Sequence, residues 1–116
     1  MLANDYQAAA LRTARVNDLT PNELMTNGVL GLCGESGECA DLVKKFLYQG
    51  HEMDREKLMD EIGDCLWYAA VTAYSIGYDL EYIFDHNIEK LRKRYPDGFD
   101  SQRSIHRPEY EKGGSE

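Results

Sequence analysis

The sequence predicts an all-α fold, a bundle of four helices that assembles into oligomers. Apolar residues recur at helical spacing along four stretches of the 116-residue chain, and no stretch shows the alternation typical of a strand. Glycine or proline separates these stretches. A chain of this length forms one domain, and its 42 % of hydrophobic residues suffice for a packed core. We expect the helical domain at residues 1–99 and a polar tail, extended or mobile, at residues 100–116.

The first two helices are predicted from apolar spacing and from capping residues. An alanine-rich segment at residues 5–16 favours the first helix. Thr20, Pro21 and Glu23 fit the N-cap, the first-turn proline and the acidic partner of a capping box. The second helix is therefore predicted at residues 21–48.

Glycines recur at intervals of three along the second helix. They are Gly28, Gly31, Gly34 and Gly37. Each glycine in a helix interior costs about 1 kcal/mol relative to alanine. Such a row fits the close approach of another backbone, and it also fits a bend near the first of the four. The sequence leaves both interpretations open.

The third helix is predicted at residues 54–76, with Asp54 as its N-cap and Gly77 as its stop. The fourth helix begins after Asp79 and ends before Pro96. The third helix is apolar nearly all round, and a helix of this kind must be buried on several sides. Four helices cover it more easily with the help of a second subunit, which is why we expect oligomers.

The composition argues against several classes of protein. The net charge is −8 and the pI is about 4.8, whereas binders of nucleic acid or anionic membranes usually have a basic face. No apolar run reaches the length of a membrane span, and the N-terminus lacks the pattern of a secretory signal. We expect a cytoplasmic protein with no nucleic-acid or membrane partner. The three cysteines lack a CxxC spacing, so we expect small core cysteines.

Two pairs of acidic residues lie on successive predicted helices. Glu35 and Glu38 are three residues apart on the second helix, and Glu61 and Asp64 have the same spacing on the third. Residues at this spacing share one face of a helix. The short connection predicts antiparallel neighbours, and a turn at residues 50–54 places the two pairs at a similar height. We expect the four carboxylates to face each other.

Facing carboxylates repel each other unless a cation lies between them. A ligand set of oxygen atoms alone favours Mg²⁺, Mn²⁺ or Ca²⁺. A di-iron site would use Glu-x-x-His on two helices, and neither pair contains a histidine. The alternative is that each pair is a solvated helix face, which is the common role of a single acidic pair. Two pairs within apolar helices are less ordinary, and both interpretations stay open at this point.

The predicted fourth helix carries the opposite charge. Asn87, Lys90 and Arg94 share a face at positions i, i+3 and i+7, which favours a site for an anion. The alternative is that cations here offset the negative end of the helix dipole. That alternative accounts for Arg92 and Lys93.

The ordered set of these motifs resembles a known family. Glu-x-x-Glu in GLCGESGECADLVKK, Glu-x-x-Asp in DEIGDCLWY and then NIEKLRKRYPDGF are similar to the MazG-like all-α nucleotide pyrophosphohydrolases. The resemblance covers about residues 30–99. It implies an all-α fold that assembles as a homodimer or homotetramer. It also implies Mg²⁺-dependent cleavage of a nucleoside triphosphate to the monophosphate and pyrophosphate, with Mn²⁺ as a possible substitute.

The resemblance also implies roles for single residues. Matches to the metal ligands are Glu35, Glu38, Glu61 and Asp64. We expect Glu38, in the middle of this set, to act as general base. Tyr68, one turn after the last ligand, matches a position that faces the nucleoside. Asn87 and Lys90 match positions near the substrate phosphates, and Arg94 shares their face of the predicted helix. The resemblance does not select the base or the sugar.

Two other functions stay open. A helical interaction module could bind nucleotide or metal without turnover. A buffer of divalent cations would hold the metal but leave the cations around Lys90 without a role. Release of pyrophosphate in the presence of Mg²⁺ distinguishes an enzyme from both.

Overall fold

The computed structural model describes residues 1–107, and within that range the chain forms helices and no β-strand. The helices are α1 (Ala3–Leu11), α2 (Pro21–Tyr48), α3 (Arg55–Ser75), α4 (Leu80–Arg94) and α5 (Ser101–Ile105). The prediction of an all-α fold is confirmed. A fifth, short helix follows the four that the sequence predicts.

The chain divides into two compact units. The first is Met1–Leu80 and contains α1, α2 and α3. The second begins at Glu81 and contains α5 and α4 except for its first residue. The predicted boundary between residues 99 and 100 stays a prediction.

Helix α1 begins and ends earlier than the sequence predicts. The backbone N–H of the N-cap residue Leu2 donates to the Asp5 carboxylate at 3.2 Å. The helix therefore begins at Ala3, two residues before its predicted start. After Leu11 the chain continues in turns, with hydrogen bonds to the third residue back. Arg15 then adopts φ 58°, a left-handed conformation that a helix cannot contain. The prediction of helix up to residue 16 is therefore wrong.

Both ends of α2 follow the predicted signals. The backbone N–H of Glu23 donates to Thr20 Oγ1 at 3.1 Å, and the Thr20 N–H donates to the Glu23 carboxylate at 2.9 Å. This is the reciprocal capping box that the sequence predicts. At the other end Gly50 adopts φ +74°, and the N–H of His51 donates to the Lys45 carbonyl at 3.2 Å. This bond satisfies one of the last helical carbonyls.

The ends of α3 are also close to their predicted positions. Asp54 caps the helix by accepting the Lys57 N–H at 2.9 Å. Gly77 follows the helix with φ +88°, and the N–H of Tyr78 donates to the Ala73 carbonyl at 3.0 Å. Both capping predictions are confirmed.

The row of glycines on α2 has two different halves. A Cβ at Gly28 would overlap the hydroxyl of Thr72 and lie 3.3 Å from its Cα, so α2 and α3 approach closely at this point. A Cβ at Gly31 would overlap the ring of Tyr68. No described atom lies within 4 Å of a Cβ at Gly34 or Gly37. Close approach of another backbone is therefore confirmed at Gly28, whereas the neighbour at Gly31 is a side chain, and the described residues outside α2 provide no neighbour for the other two.

The core of the first unit consists of two small clusters, and Trp67 packs against both. The clusters contain Ala10, Ala70, Ala73 and Leu80 on one side and Ala14, Leu24 and Val71 on the other. Gln7 is buried beside the first cluster, where its amide nitrogen donates to the carbonyls of Ala70 at 3.0 Å and Tyr78 at 3.2 Å. Its amide oxygen accepts the Leu80 N–H at 3.2 Å. The side chain of Gln7 therefore links α1 to Ala70 in α3 and to Tyr78 and Leu80, which follow α3.

In the second unit, α5 contacts the end of α4. Asp100 caps α5 by accepting the backbone N–H groups of Gln102 at 2.8 Å and Arg103 at 3.2 Å. The Arg103 guanidinium donates to the carbonyls of Arg94 at 2.6 Å and Lys93 at 3.3 Å, which lie in the last turn of α4. The prediction of an extended or mobile tail is therefore wrong for Ser101–Ile105. Residues 108–116 of that tail lie outside the described residues.

Candidate metal centre

Three of the predicted metal ligands come together between α2 and α3. Glu35, Glu38 and Glu61 each contribute a carboxylate oxygen, and these oxygens lie within 4.8 Å of one another. The two helices are antiparallel, since Gly31 packs on Tyr68 whereas residues further along α2 meet residues earlier on α3. The antiparallel arrangement places Glu35 and Glu38 of α2 opposite Glu61 of α3.

Two oxygens of this cluster are buried without a hydrogen-bond partner. They are Oε2 of Glu35 and Oε2 of Glu61. Glu61 is only 5 % exposed, although its other oxygen lies 3.8 Å from the Lys57 ammonium. A buried carboxylate oxygen without a partner is unfavourable, because it has lost its water and gained no donor. A cation bound between the helices would supply the partner that both oxygens lack.

The crowding of the carboxylates changes their acidity. A hydrogen bond shared with Glu61, together with the charge of Glu61, raises the pKa of Glu38. The pKa of Glu61 is raised first by its hydrogen bond with Glu35 and then by burial. The Lys57 ammonium acts in the opposite direction on both groups. Glu38 and Glu61 therefore retain protons more tightly than isolated glutamates do, as expected for adjacent acids.

Asp64 lies near this cluster but outside the group of three. Its side chain is exposed on α3, one turn after Glu61. Its charge contributes to the raised pKa of Glu38 and to that of Tyr6 on α1. Its role as a fourth ligand stays a prediction.

Tyr68 lies on the same face of α3 as the acidic residues, and it is half-buried. Its ring packs over the backbone at Gly31 and contacts the indole of Trp67 edge to face, with centroids 5.0 Å apart and planes at 89°. The indole N–H in turn donates to Thr13 Oγ1 at 3.1 Å. The ring is therefore held between α2 and the indole.

The predicted phosphate-binding residues belong to the second unit. Asn87 and Lys90 are exposed on α4, and Arg94 is half-buried at its end. Among residues 1–107, Lys90 forms no ion pair, whereas Arg92 pairs with Glu89 at 3.1 Å. Lys90 is thus available to an anion, and the phosphate-binding role of the three residues stays a prediction.

Several neighbours of the cluster were not predicted as part of a site. Ser36 Oγ lies 3.9 Å from Cys65 Sγ across the two helices. Burial and the adjacent thiol of Cys65 raise the pKa of Cys39. The signal was present in the sequence, because Ser36, Cys39 and Cys65 each directly follow one of the predicted acidic ligands. Cys33 is exposed, so the prediction of a core cysteine is wrong there.

The donor set fits a hard divalent cation. All three groups are carboxylates, which suit Mg²⁺, Mn²⁺ or Ca²⁺. Oxygen ligands at about 2.1 Å from one Mg²⁺ lie about 3 to 4 Å from each other. Oxygens within 4.8 Å of one another are close to that spacing.

The fold and the site define an all-α protein with a carboxylate cluster between two antiparallel helices. Residues 25–99 match the model of the MazG nucleotide pyrophosphohydrolase domain, and the chain belongs to this family. It is similar to the Gene 37 protein of Mycobacterium phage L5, with 34 % identity over 96 residues, which are 77 % of this chain and 84 % of that protein. No solved structure matches the chain at a significant level. In the described part of the chain, none of the helices combines the length and apolar character needed to cross a membrane.

Proposed function

We propose that this protein is a Mg²⁺-dependent nucleoside triphosphate pyrophosphohydrolase, which cleaves a ribo- or deoxyribonucleoside triphosphate to the monophosphate and pyrophosphate. The observation that carries the proposal is the cluster of Glu35, Glu38 and Glu61, with two buried oxygens that lack a partner. Membership of the MazG nucleotide pyrophosphohydrolase family supports it. Free nucleotides as substrates fit a cytoplasmic protein that binds neither nucleic acid nor membranes.

The residues of the first unit would hold the cation and the attacking water. Glu35, Glu38 and Glu61 would bind Mg²⁺, or Mn²⁺ in its place, with Asp64 as a fourth ligand. When bound, the cation would neutralise the charge of the phosphates and polarise the phosphorus that is attacked. Glu38 is the exposed member of the cluster, which suits a general base that takes a proton from water.

The remaining predicted residues would bind the rest of the nucleotide. Asn87, Lys90 and Arg94 would donate hydrogen bonds to phosphate oxygens, and charge-assisted bonds of this kind are the strong ones. Tyr68 would face the nucleoside. Its ring could stack on the base or crowd the 2′ position of the sugar, and crowding would favour deoxynucleotides.

A second copy of the chain would cover the apolar surface of the first unit. Large apolar side chains remain exposed along both long helices, for example Leu30 at 67 % on α2 and Leu66 at 55 % on α3. Exposed apolar surface of this extent marks an interaction site. We therefore propose a homodimer or homotetramer. Light scattering at micromolar concentration should give a multiple of 13.2 kDa, and a monomer would contradict this proposal.

The central experiment is incubation with a panel of nucleoside and deoxynucleoside triphosphates in Mg²⁺, with detection of pyrophosphate. The matched pair of variants is Glu38→Gln and Asp41→Asn. Asp41 is one turn further on α2 and pairs with Lys44 and Lys45 at 3.4 and 2.9 Å, outside the cluster. We expect pyrophosphate from the parent and from Asp41→Asn, and a loss of orders of magnitude in Glu38→Gln.

Two results of this panel would contradict the proposal. Binding of a triphosphate without any pyrophosphate release would favour the non-catalytic interaction module. Full activity of Glu38→Gln would remove the carboxylate cluster from the reaction.

A further inference from the structure

The contact between Gly31 and Tyr68 gives the glycine a role in the site. We propose that Gly31 is a positioning residue, which sets the place of the Tyr68 ring and thereby the room for the nucleoside. This inference rests on the proposed function and deepens it. It assigns specificity to a residue without a side chain.

The position of the contact relative to the carboxylates is the first argument. Gly31 precedes Glu35 by four residues on α2, and Tyr68 follows Glu61 by seven residues on α3. Both spacings return to the same face of a helix. The contact therefore lies on the cluster's face of both helices, about 6 Å from it along α2 and about 10 Å along α3.

The packing around the Tyr68 ring is the second argument. A Cβ at Gly31 would overlap the ring of Tyr68, so a methyl group there must displace it. Trp67 contacts the same ring at a centroid distance of 5.0 Å, and the indole N–H of Trp67 donates to Thr13. Side chains in α-helices point back over the turn N-terminal to their own Cα. For Tyr68 this is the turn of Asp64, so a displaced ring shifts over the acidic residues.

The other glycines of α2 provide matched controls. Gly28 is one turn earlier and packs as closely, but against Thr72, whose Cβ would lie 3.2 Å from an added Cβ. Gly28→Ala therefore disturbs the packing of the same two helices without overlapping the Tyr68 ring, although the displaced Thr72 hydroxyl donates to the Tyr68 carbonyl at 2.7 Å. Gly34→Ala adds a methyl group where no described atom lies within 4 Å. Comparison of the three variants separates the position of the ring from the distance between the helices.

Trp67 provides a direct readout of the ring, because it is the only tryptophan of the chain and it contacts Tyr68. We expect Gly31→Ala to change the intensity or the emission maximum of Trp67 in the absence of nucleotide. Gly34→Ala should leave the emission as in the parent, and Gly28→Ala should change it less than Gly31→Ala does. Equal changes in Gly28→Ala and Gly31→Ala would overturn the proposal.

The functional readout is the preference between matched deoxyribo- and ribonucleoside triphosphates in Mg²⁺. Because a misplacement of about 1 Å costs up to about 100-fold, we expect Gly31→Ala to lower kcat/KM by at least tenfold and to change the preference between the two sugars. Dissociation constants for the same nucleotides, measured from Trp67 fluorescence, should change in parallel. An unchanged preference in both measurements would overturn the inference and leave the proposed function intact.

The same dissociation constants decide the inference if the parent releases no pyrophosphate, a result that removes the proposed function alone. A double variant covers the case in which Gly31→Ala fails to fold. Tyr68→Ala removes the ring, so Gly31→Ala should be tolerated in that background and should no longer alter the preference. Failure of Gly31→Ala to fold in the Tyr68→Ala background as well would overturn the role of the contact.

Discussion

Replacement of Glu35 by glutamine is the sharpest test of the carboxylate cluster. Oε2 of Glu35 is buried without a hydrogen-bond partner, and the carboxylate lies within 4.8 Å of two others. Glutamine keeps the shape and removes the charge. In a chelator, Glu35→Gln should therefore melt at the same temperature as the parent or higher, because one of three crowded charges is lost. In Mg²⁺ the parent should melt at a higher temperature than Glu35→Gln.

The size of the reversal follows from the loss of one ligand out of three. Contacts to charged groups contribute about 1.5 to 3 kcal/mol, so the dissociation constant for Mg²⁺ should rise by about 10- to 100-fold. Free Mg²⁺ at about 100 times the parent's dissociation constant stabilises the parent by about 2.7 kcal/mol. A variant with 100-fold weaker binding gains only about 0.4 kcal/mol at that concentration. The difference reduces the rise in Tm by about 9 °C for a chain of this length.

Thermal unfolding in chelator and at increasing Mg²⁺ measures both effects without any activity assay. Asp41→Asn is the control, since its carboxylate pairs with Lys44 and Lys45 and is not one of the three clustered carboxylates. Its response to Mg²⁺ should equal that of the parent. If Glu35→Gln gains as much stability from Mg²⁺ as the parent does, the cluster is not the cation site and the glutamates are a solvated face.

Three further predictions test the charges and the packing. The folded chain raises the pKa of Glu38 and Glu61, so it holds their protons more tightly than the unfolded chain. The free energy of unfolding in chelator should therefore fall as pH rises through these raised pKa values, and it should fall less in Glu38→Gln. Urea unfolding between about pH 4.5 and 7.5 measures this dependence. Equal dependence of the unfolding free energy on pH in the parent and the variant would refute the prediction. Lys90→Ala should raise KM for a triphosphate by about 10- to 100-fold, whereas Arg92→Ala should change KM little because Arg92 is already paired with Glu89. Steady-state kinetics measure both values. Equal effects of the two variants would show that the face of Lys90 is not the one that binds the phosphates. Gln7→Leu should lose about 3 kcal/mol of unfolding free energy, about 1 for each of its buried hydrogen bonds, and a loss below about 1 kcal/mol in urea would contradict that assignment.

The sequence was most informative where a structural feature depends on neighbouring residues. Thr20 and Glu23 cap α2 as predicted because both partners lie within one turn. The early end of α1 could not be predicted in this way, because alanines favour a helix that the left-handed Arg15 interrupts. The helix at Ser101–Ile105 was missed because its polar residues lack an apolar period. It depends instead on the Asp100 cap and on the contact of Arg103 with α4.

The candidate site was predictable to the extent that helical spacing determines it. The i, i+3 pairs and a short connection were enough to bring Glu35, Glu38 and Glu61 together. Spacing along one helix gives a face but not a depth, so the exposure of Asp64 and the burial of Glu61 were not predictable. The contact of Tyr68 with Gly31 depends on the separation of the helices, which is a tertiary property. The row of glycines on α2 indicated only that another part of the protein packs closely against this helix.

The local capping of α2 has a consequence for how proteins of this kind diversify. Its first residue is determined by Thr20 and Glu23, and its last turn by Gly50 and the bond from His51 to the Lys45 carbonyl. None of these signals needs a residue from outside the helix and its flanking turns. The segment is therefore portable. Recombination between related genes with crossovers in the two flanking turns would transfer the helix with Glu35 and Glu38 at unchanged heights, so that a chimaera would receive two of the three clustered carboxylates in one segment.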